Sequence, residues 1–138
     1  MGVFPNSETL KKVLGDFFQI LAEHQEIKPR LLASNLVIKF IYSDHDLAIT
    51  IDCSKYTITI TFNDDQKKPE VEMSMKADIA HKFWFGKINL VAALARRQMI
   101  AKGPVPKILK LLPAIKPSYV IYAKYLEERF KEYNYLPT

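Results

Sequence analysis

The chain has 138 residues, of which 49% are hydrophobic and 25% charged, and its net charge is +5. This size predicts one globular domain covering residues 1–138, and no run approaches the roughly 18 apolar residues of a membrane span. The single cysteine, Cys53, excludes an intrachain disulfide, and the sequence begins without the apolar core of a secretion signal, so we expect a cytoplasmic protein.

The first predicted element is an amphipathic helix from about Ser7 to His24. Apolar residues recur there at helical spacing with polar residues between them, and Asn6 or Ser7 offers an N-cap oxygen. Pro29 stops a long continuation. We therefore expect at most one more helical turn, over Arg30–Ser34.

Four predicted β-strands follow, with short polar links between them. Their sequences are LVIKFIY, LAITIDC, YTITITF and VEMSM. The third run alternates large apolar residues with threonine from Tyr56 to Phe62, and in the fourth Val71, Met73 and Met75 alternate with polar residues. Sequential strands with short links predict an antiparallel meander with one covered and one solvated face.

Two short helices are predicted after the fourth strand. Asp78 is a candidate cap for a helix that ends near Gly86, and Asn89 is a candidate cap for a second helix that reaches about Arg97.

The last elements are a fifth strand and two further helices. Met99–Lys102 fits a short strand before a Gly-Pro pair, a helix is predicted from Lys107 to Leu112 between two prolines, and a final helix begins at Pro117. This order predicts an α+β fold, with a single five-stranded, largely antiparallel sheet and helices packed on one face.

Catalytic and metal-binding patterns are missing from the sequence. The chain has three histidines, His24, His45 and His81. No HxxxH, CxxC or similar metal-ligand spacing occurs. The run Asp44, His45, Asp46 could hold a cation weakly, but these residue types are also typical of a tight turn, which we favour. Phosphate-binding, dinucleotide-binding and nucleophile-elbow motifs are absent as well, so we predict no metal, no cofactor and no enzymatic activity.

Positive charge is concentrated in the second half of the chain. Residues 1–75 contain eight Lys or Arg against eleven Asp or Glu, whereas residues 76–138 contain twelve against four. Together with Phe83, Trp84 and Phe85, this charge keeps single-stranded nucleic acid open as a partner. The predicted strands lack the aromatic and basic residues of an RRM, which disfavours that fold.

Four segments between Val71 and Leu126 share the pattern of one known family. They are a strand ending in MSMKAD, a helix finishing in FWFGK, the segment INLVAALARRQMIAKGPVPKILKLLP, and a final helix with KPSYVIYAKYL. In this half the chain resembles the sterol carrier protein (type two) lipid-transfer domains. Arg97 departs from the pattern where glycine is expected, which predicts a different exit from that helix, because a non-glycine residue at positive φ costs energy.

The resemblance implies a hydrophobic tunnel between sheet and helices that holds sterols, fatty acids, fatty acyl-CoA or phospholipids. The expected tunnel wall is Met73, Met75, Phe83, Trp84, Phe85, Met99, Ile108, Leu112 and Ile121. The expected contacts with an anionic head group or a transient anionic membrane surface are Lys82, Lys87, Arg96, Arg97 and Lys102. Solvated charge and ordinary core packing are the alternatives for these residues.

The sequence thus favours a non-catalytic lipid-binding or lipid-transfer protein. Two other interpretations stay open: a basic module for single-stranded nucleic acid, and an interaction domain whose cavity is filled by side chains.

Overall fold

Seven helices and a five-stranded sheet make up the described part of the chain. The computed structural model describes residues 2–137, so the predicted domain 1–138 extends one residue beyond the described range at each end. The helices are α1 (Ser7–Glu23), α2 (Ile27–Ser34), α3 (Ala77–Trp84), α4 (Leu90–Ala95), α5 (Val105–Leu109), α6 (Leu112–Ile115) and α7 (Pro117–Arg129), and a 3-10 turn follows at Lys131–Tyr133. The strands are β1 (Val37–Tyr42), β2 (Leu47–Asp52), β3 (Thr59–Phe62), β4 (Val71–Met75) and β5 (Met99–Lys102).

The strand order across the sheet is β3-β2-β1-β4-β5. Three neighbouring pairs are antiparallel, but β4 lies parallel to β1, so the predicted continuous meander is wrong at the fourth strand. After β3 the chain crosses to the free edge of β1, where the Glu70 N–H donates to the Val37 carbonyl at 2.9 Å. The polar link between β3 and β4 is long enough to bring β4 beside either β3 or β1. The sequence therefore did not distinguish these two pairings.

β3 is shorter than predicted. Tyr56 is 98% exposed and lies before the strand, which begins at Thr59. The Asp52 carboxylate accepts a hydrogen bond from the Ser54 N–H at 2.9 Å, and this local turn competes with extended pairing. Lys67 adds an ion pair to the same carboxylate at 3.0 Å.

One face of the sheet is apolar and packs against the helices. Its residues include Ile38, Phe40, Tyr42, Leu47, Ile49, Val71, Met73, Met75 and Met99. The opposite face is polar, with Lys39, Glu72 and Lys102 side by side on β1, β4 and β5. The structure confirms the predicted α+β fold with one largely antiparallel sheet.

The first two helices follow directly from their end signals. The Asn6 side chain caps α1 by accepting a hydrogen bond from the Thr9 N–H at 2.8 Å, and α1 ends within one residue of the prediction. α2 begins earlier than predicted, at Ile27. Pro29 lies in its first turn. Backbone N–H groups in a first turn have no partner within the helix, so proline, which lacks this group, is tolerated there.

The start of α3 is held by the β1–β2 turn. Asp78 does not cap this helix as predicted, because its carboxylate accepts a hydrogen bond from the Val3 N–H at 2.9 Å. Asp44 takes that role from the turn, accepting from the Ala77 N–H at 2.9 Å. The Asp-rich turn thus positions a helix.

The exit of α4 is a left-handed turn built around an arginine. The Asn89 side chain caps the start of α4, as predicted. At the other end Arg97 has φ +60°, and the Gln98 N–H donates to the Ala93 carbonyl at 2.9 Å while the Arg97 N–H donates to Leu94 at 3.2 Å. This is a Schellman motif, so the expectation of a different exit is wrong.

The predicted helix from Lys107 to Leu112 is divided into α5 and α6. Pro106 and Pro113 are each the second residue of one of these helices. Because proline costs no hydrogen bond in a first turn, Pro113 begins a new helix and does not end the previous one.

A candidate functional site between the sheet and the helices

Two small apolar cavities adjoin each other between the sheet and the helices. Each has a volume of about 40 Å³. Five residues line both cavities: Ile38, Phe40, Trp84, Leu111 and Ile115. We call the two cavities with this shared wall the seam.

Strand register places the floor of the first cavity. Phe40 lies beside Met73, and Met75 lies between Tyr42 and Met99, so three strands present neighbouring side chains to the same space. The helical side of the lining consists of Ala80, Phe83, Trp84, Leu90, Ile108, Leu111, Leu112 and Ile115. The only polar side-chain groups in the whole lining of this cavity are the Trp84 indole N–H and the Tyr42 hydroxyl.

The second cavity lies towards α1 and α2. Its further lining is Phe18, Leu21, Ala22, Ile27, Leu31, Ile51, Cys53 and Ser118. The Ser118 hydroxyl is satisfied by the Ile115 carbonyl. Burial, with a smaller effect of Asp52, raises the pKa of the Cys53 thiol to about 11, so this side chain stays a neutral, weakly polar part of the wall at physiological pH.

Most of the predicted wall residues come together in the first cavity. They are Met73, Met75, Phe83, Trp84, Met99, Ile108 and Leu112. The structure places Phe85 and Ile121 outside both linings. Phe85 caps the end of α3, and its ring packs on His81 at 4.8 Å and on Tyr122 at 5.2 Å. Ile121 is half-buried against the main core.

Sequence reasoning missed the contribution of β1. Ile38, Phe40 and Tyr42 all face the seam, and their spacing of two was the signal that could have identified them. Leu111 and Ile115 were missed for another reason, since the division into α5 and α6 turns them inward and was not predicted.

The seam is narrow. A cavity of about 40 Å³ holds roughly one water molecule, whose share of liquid volume is about 30 Å³. Side chains therefore occupy most of the space between the layers, and the tunnel expected from the resemblance is not seen as an open channel.

The five predicted head-group residues are dispersed. Lys82 is half-buried on α3, Lys87 is exposed in the α3–α4 connection, and Arg96 and Arg97 are exposed at the end of α4. Lys102 lies on the polar face of the sheet, opposite the seam. None of the five forms an ion pair within residues 2–137.

The potential catalytic groups are engaged in structural contacts. Cys53 packs with Ala22 and Ile58, whereas the His81 ring packs in a different part of the core. His81 Nε2 donates to the Tyr135 carbonyl at 2.8 Å, which fixes the tautomer and makes Nδ1 the acceptor for the Tyr122 hydroxyl at 2.7 Å. No group of acidic, histidine or cysteine side chains suited to a metal occurs among the described residues.

No helix within residues 2–137 has both the length and the apolar character required to cross a bilayer.

A sequence comparison with curated proteins gave no match. The family model described as the SCP-2 sterol transfer family matches residues 17–116. The chain belongs to this family.

Solved structures share the fold at low sequence identity. The sterol carrier protein domain 2 of Helicoverpa armigera is 17% identical, with 78% of this chain and 89% of that chain covered and a TM-score of 0.63. Sterol Carrier Protein 2 from Yarrowia lipolytica in its apo form is 13% identical, with 82% and 91% covered and a TM-score of 0.59. In the sec-alkylsulfatase Pisa1 from Pseudomonas sp., 14% identical, the match covers 68% of this chain but 15% of the enzyme, with a TM-score of 0.57.

Proposed function

We propose that the protein binds a single lipid in the seam and transfers it between membranes or enzymes without chemical change. The observation that supports this most directly is the continuous apolar lining between sheet and helices in a member of a sterol transfer family. Sterols, fatty acids, fatty acyl-CoA and phospholipids are the candidate classes. The proposed site of action is the cytoplasm.

Lipid entry requires the seam to widen. Residues 105–115 are the best candidate for the moving part, because α5 and α6 have five and four residues and are stable only while they pack on the rest of the domain. Met73, Met75 and Met99 form the opposite wall, and unbranched methionine side chains repack at low cost. Displacement of this segment would join the two cavities into one elongated site.

Apolar burial provides enough free energy for such binding. Each methylene group removed from water contributes about 0.8 kcal/mol, so an acyl chain offsets both the entropy of association and the cost of widening the seam. The lining needs no charged recognition group for this.

Basic residues near α3 and α4 are proposed to contact an anionic head group or an anionic membrane surface. Lys82, Lys87, Arg96 and Arg97 serve this role best, because they lie on or next to α3 and α4, two helices that contribute to the lining of the seam. Lys102 is assigned to membrane contact only, since it projects from the other face of the sheet.

An interaction domain with a filled core is the second candidate, and the small cavity volumes favour it. Nucleic-acid binding has less support. Phe83 and Trp84 are 8% and 5% exposed, so their rings are not accessible for stacking on bases.

The proposal is tested by filling the seam. Ala80 is buried in the first cavity, so Ala80→Leu places extra methyl groups in the lipid's path, and we expect uptake of a fluorescent fatty acid to fall about tenfold. Ala95→Leu is the matched control on the exposed end of α4. Solvent extraction and mass spectrometry of the wild-type protein should also release a stoichiometric lipid. Absence of both extractable lipid and fatty-acid uptake would favour the interaction domain.

A further inference from the structure

Tyr42 is a polar residue in the otherwise apolar wall of the seam. It is the last residue of β1, faces the helices beside Met75, and is 1% exposed. It is one of the residues that line the first cavity. A tyrosine in this position brings one hydroxyl group into the layer where a lipid would lie.

The Tyr42 hydroxyl has no hydrogen-bond partner among the described residues. The other two strongly buried tyrosines differ in this respect. Tyr122 pairs with His81, and the Tyr125 hydroxyl donates to the Val13 carbonyl at 2.7 Å. Because an unsatisfied buried hydroxyl destabilises a fold and is rare, its presence in a residue beside a cavity indicates a partner that comes from outside the protein.

Water is a poor candidate for that partner. A buried water molecule usually makes two to four hydrogen bonds, and the only other side-chain N–H or O–H group in the lining of this cavity is the Trp84 indole. An oxygen atom of a lipid needs only one donor, because the rest of the lipid is buried against apolar side chains.

The partner should be uncharged. Burial raises the pKa of Tyr42, so the hydroxyl remains a neutral donor across the physiological range. Neither cavity is lined by a basic side chain. A carboxylate buried there would lack a counter-charge and would lose its hydration, whereas an alcohol or a carbonyl oxygen would lose little.

We propose that the Tyr42 hydroxyl donates a hydrogen bond to an alcohol or carbonyl oxygen at the buried end of the bound lipid, and that it selects such lipids over hydrocarbons. This inference rests on the proposed lipid binding and adds the chemical class of the ligand and the residue that recognises it.

The test compares ligands that differ only at the polar end. Trp84 is the single tryptophan and lines both cavities, so its fluorescence reports occupancy during titration with 1-dodecanol, dodecane or dodecanoic acid. Tyr42→Phe removes only the hydroxyl, and Tyr119→Phe is the matched control at a half-buried tyrosine outside both linings. We expect Tyr42→Phe to weaken dodecanol binding about three- to tenfold and to leave dodecane binding unchanged, with no effect of Tyr119→Phe.

Ligand-free stability gives an independent readout. The urea midpoint of Tyr42→Phe should equal or exceed that of the wild type, because the variant removes an unpaired group. A lower midpoint would show that the hydroxyl already has a partner and would overturn the inference. If Tyr42→Phe lost the same affinity for dodecanol as for dodecane, or lost affinity for neither, the inference about the hydroxyl would be overturned and the proposed lipid binding would stand. If the wild-type protein bound none of the three ligands, the proposed function would fail as well.

Discussion

Single side chains in this protein depart from local preference where tertiary contacts require it. Arg97 adopts φ +60° at the exit of α4, a conformation that favours glycine, because the Schellman hydrogen bonds and the start of β5 fix the direction of the chain. The conformational cost is compensated by the pairing of β5 with β4.

Replacement of Arg97 by glycine should therefore stabilise the fold. We expect Arg97→Gly to raise the free energy of unfolding in urea by about 0.5–1 kcal/mol, because the left-handed conformation costs an arginine more than a glycine. Arg96→Gly is the control at φ −87° and should lower it by a similar amount. Equal effects of the two substitutions would show that Arg97 is not strained.

At the scale of elements, the helices depend on groups supplied by distant parts of the chain. α3 has no capping side chain of its own, and its first N–H is satisfied by Asp44 from the β1–β2 turn. This contact fixes the orientation of α3, from which Phe83 and Trp84 reach the seam. The turn thus controls the geometry of the proposed lipid site.

Loss of the Asp44 carboxylate should weaken this connection. We expect Asp44→Ala to lower the free energy of unfolding by about 1 kcal/mol, the usual cost of a lost helix cap, and to weaken ligand-induced changes in Trp84 fluorescence. Asp46→Ala is the control, since its carboxylate is also exposed in the same turn. A matching loss in both variants would mean that turn charge, and not the cap, is responsible.

At the scale of the whole molecule, His81 joins three regions. It lies on α3, accepts from Tyr122 on α7, and donates to the Tyr135 carbonyl near the end of the chain. Burial lowers the pKa of His81, although the carbonyls of Tyr135 and Tyr133 and the nearby Asp78 oppose this shift. The neutral imidazole is therefore the form that the fold requires.

Acidification should destabilise the protein through this residue. In the unfolded chain His81 binds a proton at about pH 6.5, and in the folded protein it does so only at lower pH. The neutral ring's contribution to folding stability is therefore complete above pH 6.5 and is lost as the pH falls below that value. We expect a slope of up to about 1.4 kcal/mol per pH unit in urea unfolding. The His81→Gln variant should have a lower free energy of unfolding than the wild type at pH 7.5. Between pH 6.5 and 5 its free energy of unfolding should change less with pH. Parallel profiles for the two proteins would contradict this assignment.

The pH window of His81 is separate from that of the acidic groups. Although partial burial raises it, the pKa of Asp52 falls to about 2 because Ser54 and Lys67 donate hydrogen bonds to the carboxylate. Its contribution to stability is present above the unfolded value of 3.8 and is lost only as the pH falls from there towards 2.

The sequence by itself determined the elements whose signals are local. Apolar periodicity and the Asn6 cap define α1, Asn89 begins α4, and the alternation in Val71–Met75 defines β4 with its inward methionines. These features depend on residues within a few positions of each other, so a single sequence contains all the information they need. The family pattern in residues 71–126 added the expectation of an apolar site.

Only the tertiary structure decided which elements meet. The parallel pairing of β4 with β1 and the cap from Asp44 both depend on contacts between residues more than thirty positions apart. The width of the seam was decided in the same way. Apolar residues fill a core or line a cavity with the same periodicity, and only their packed volumes distinguish the two.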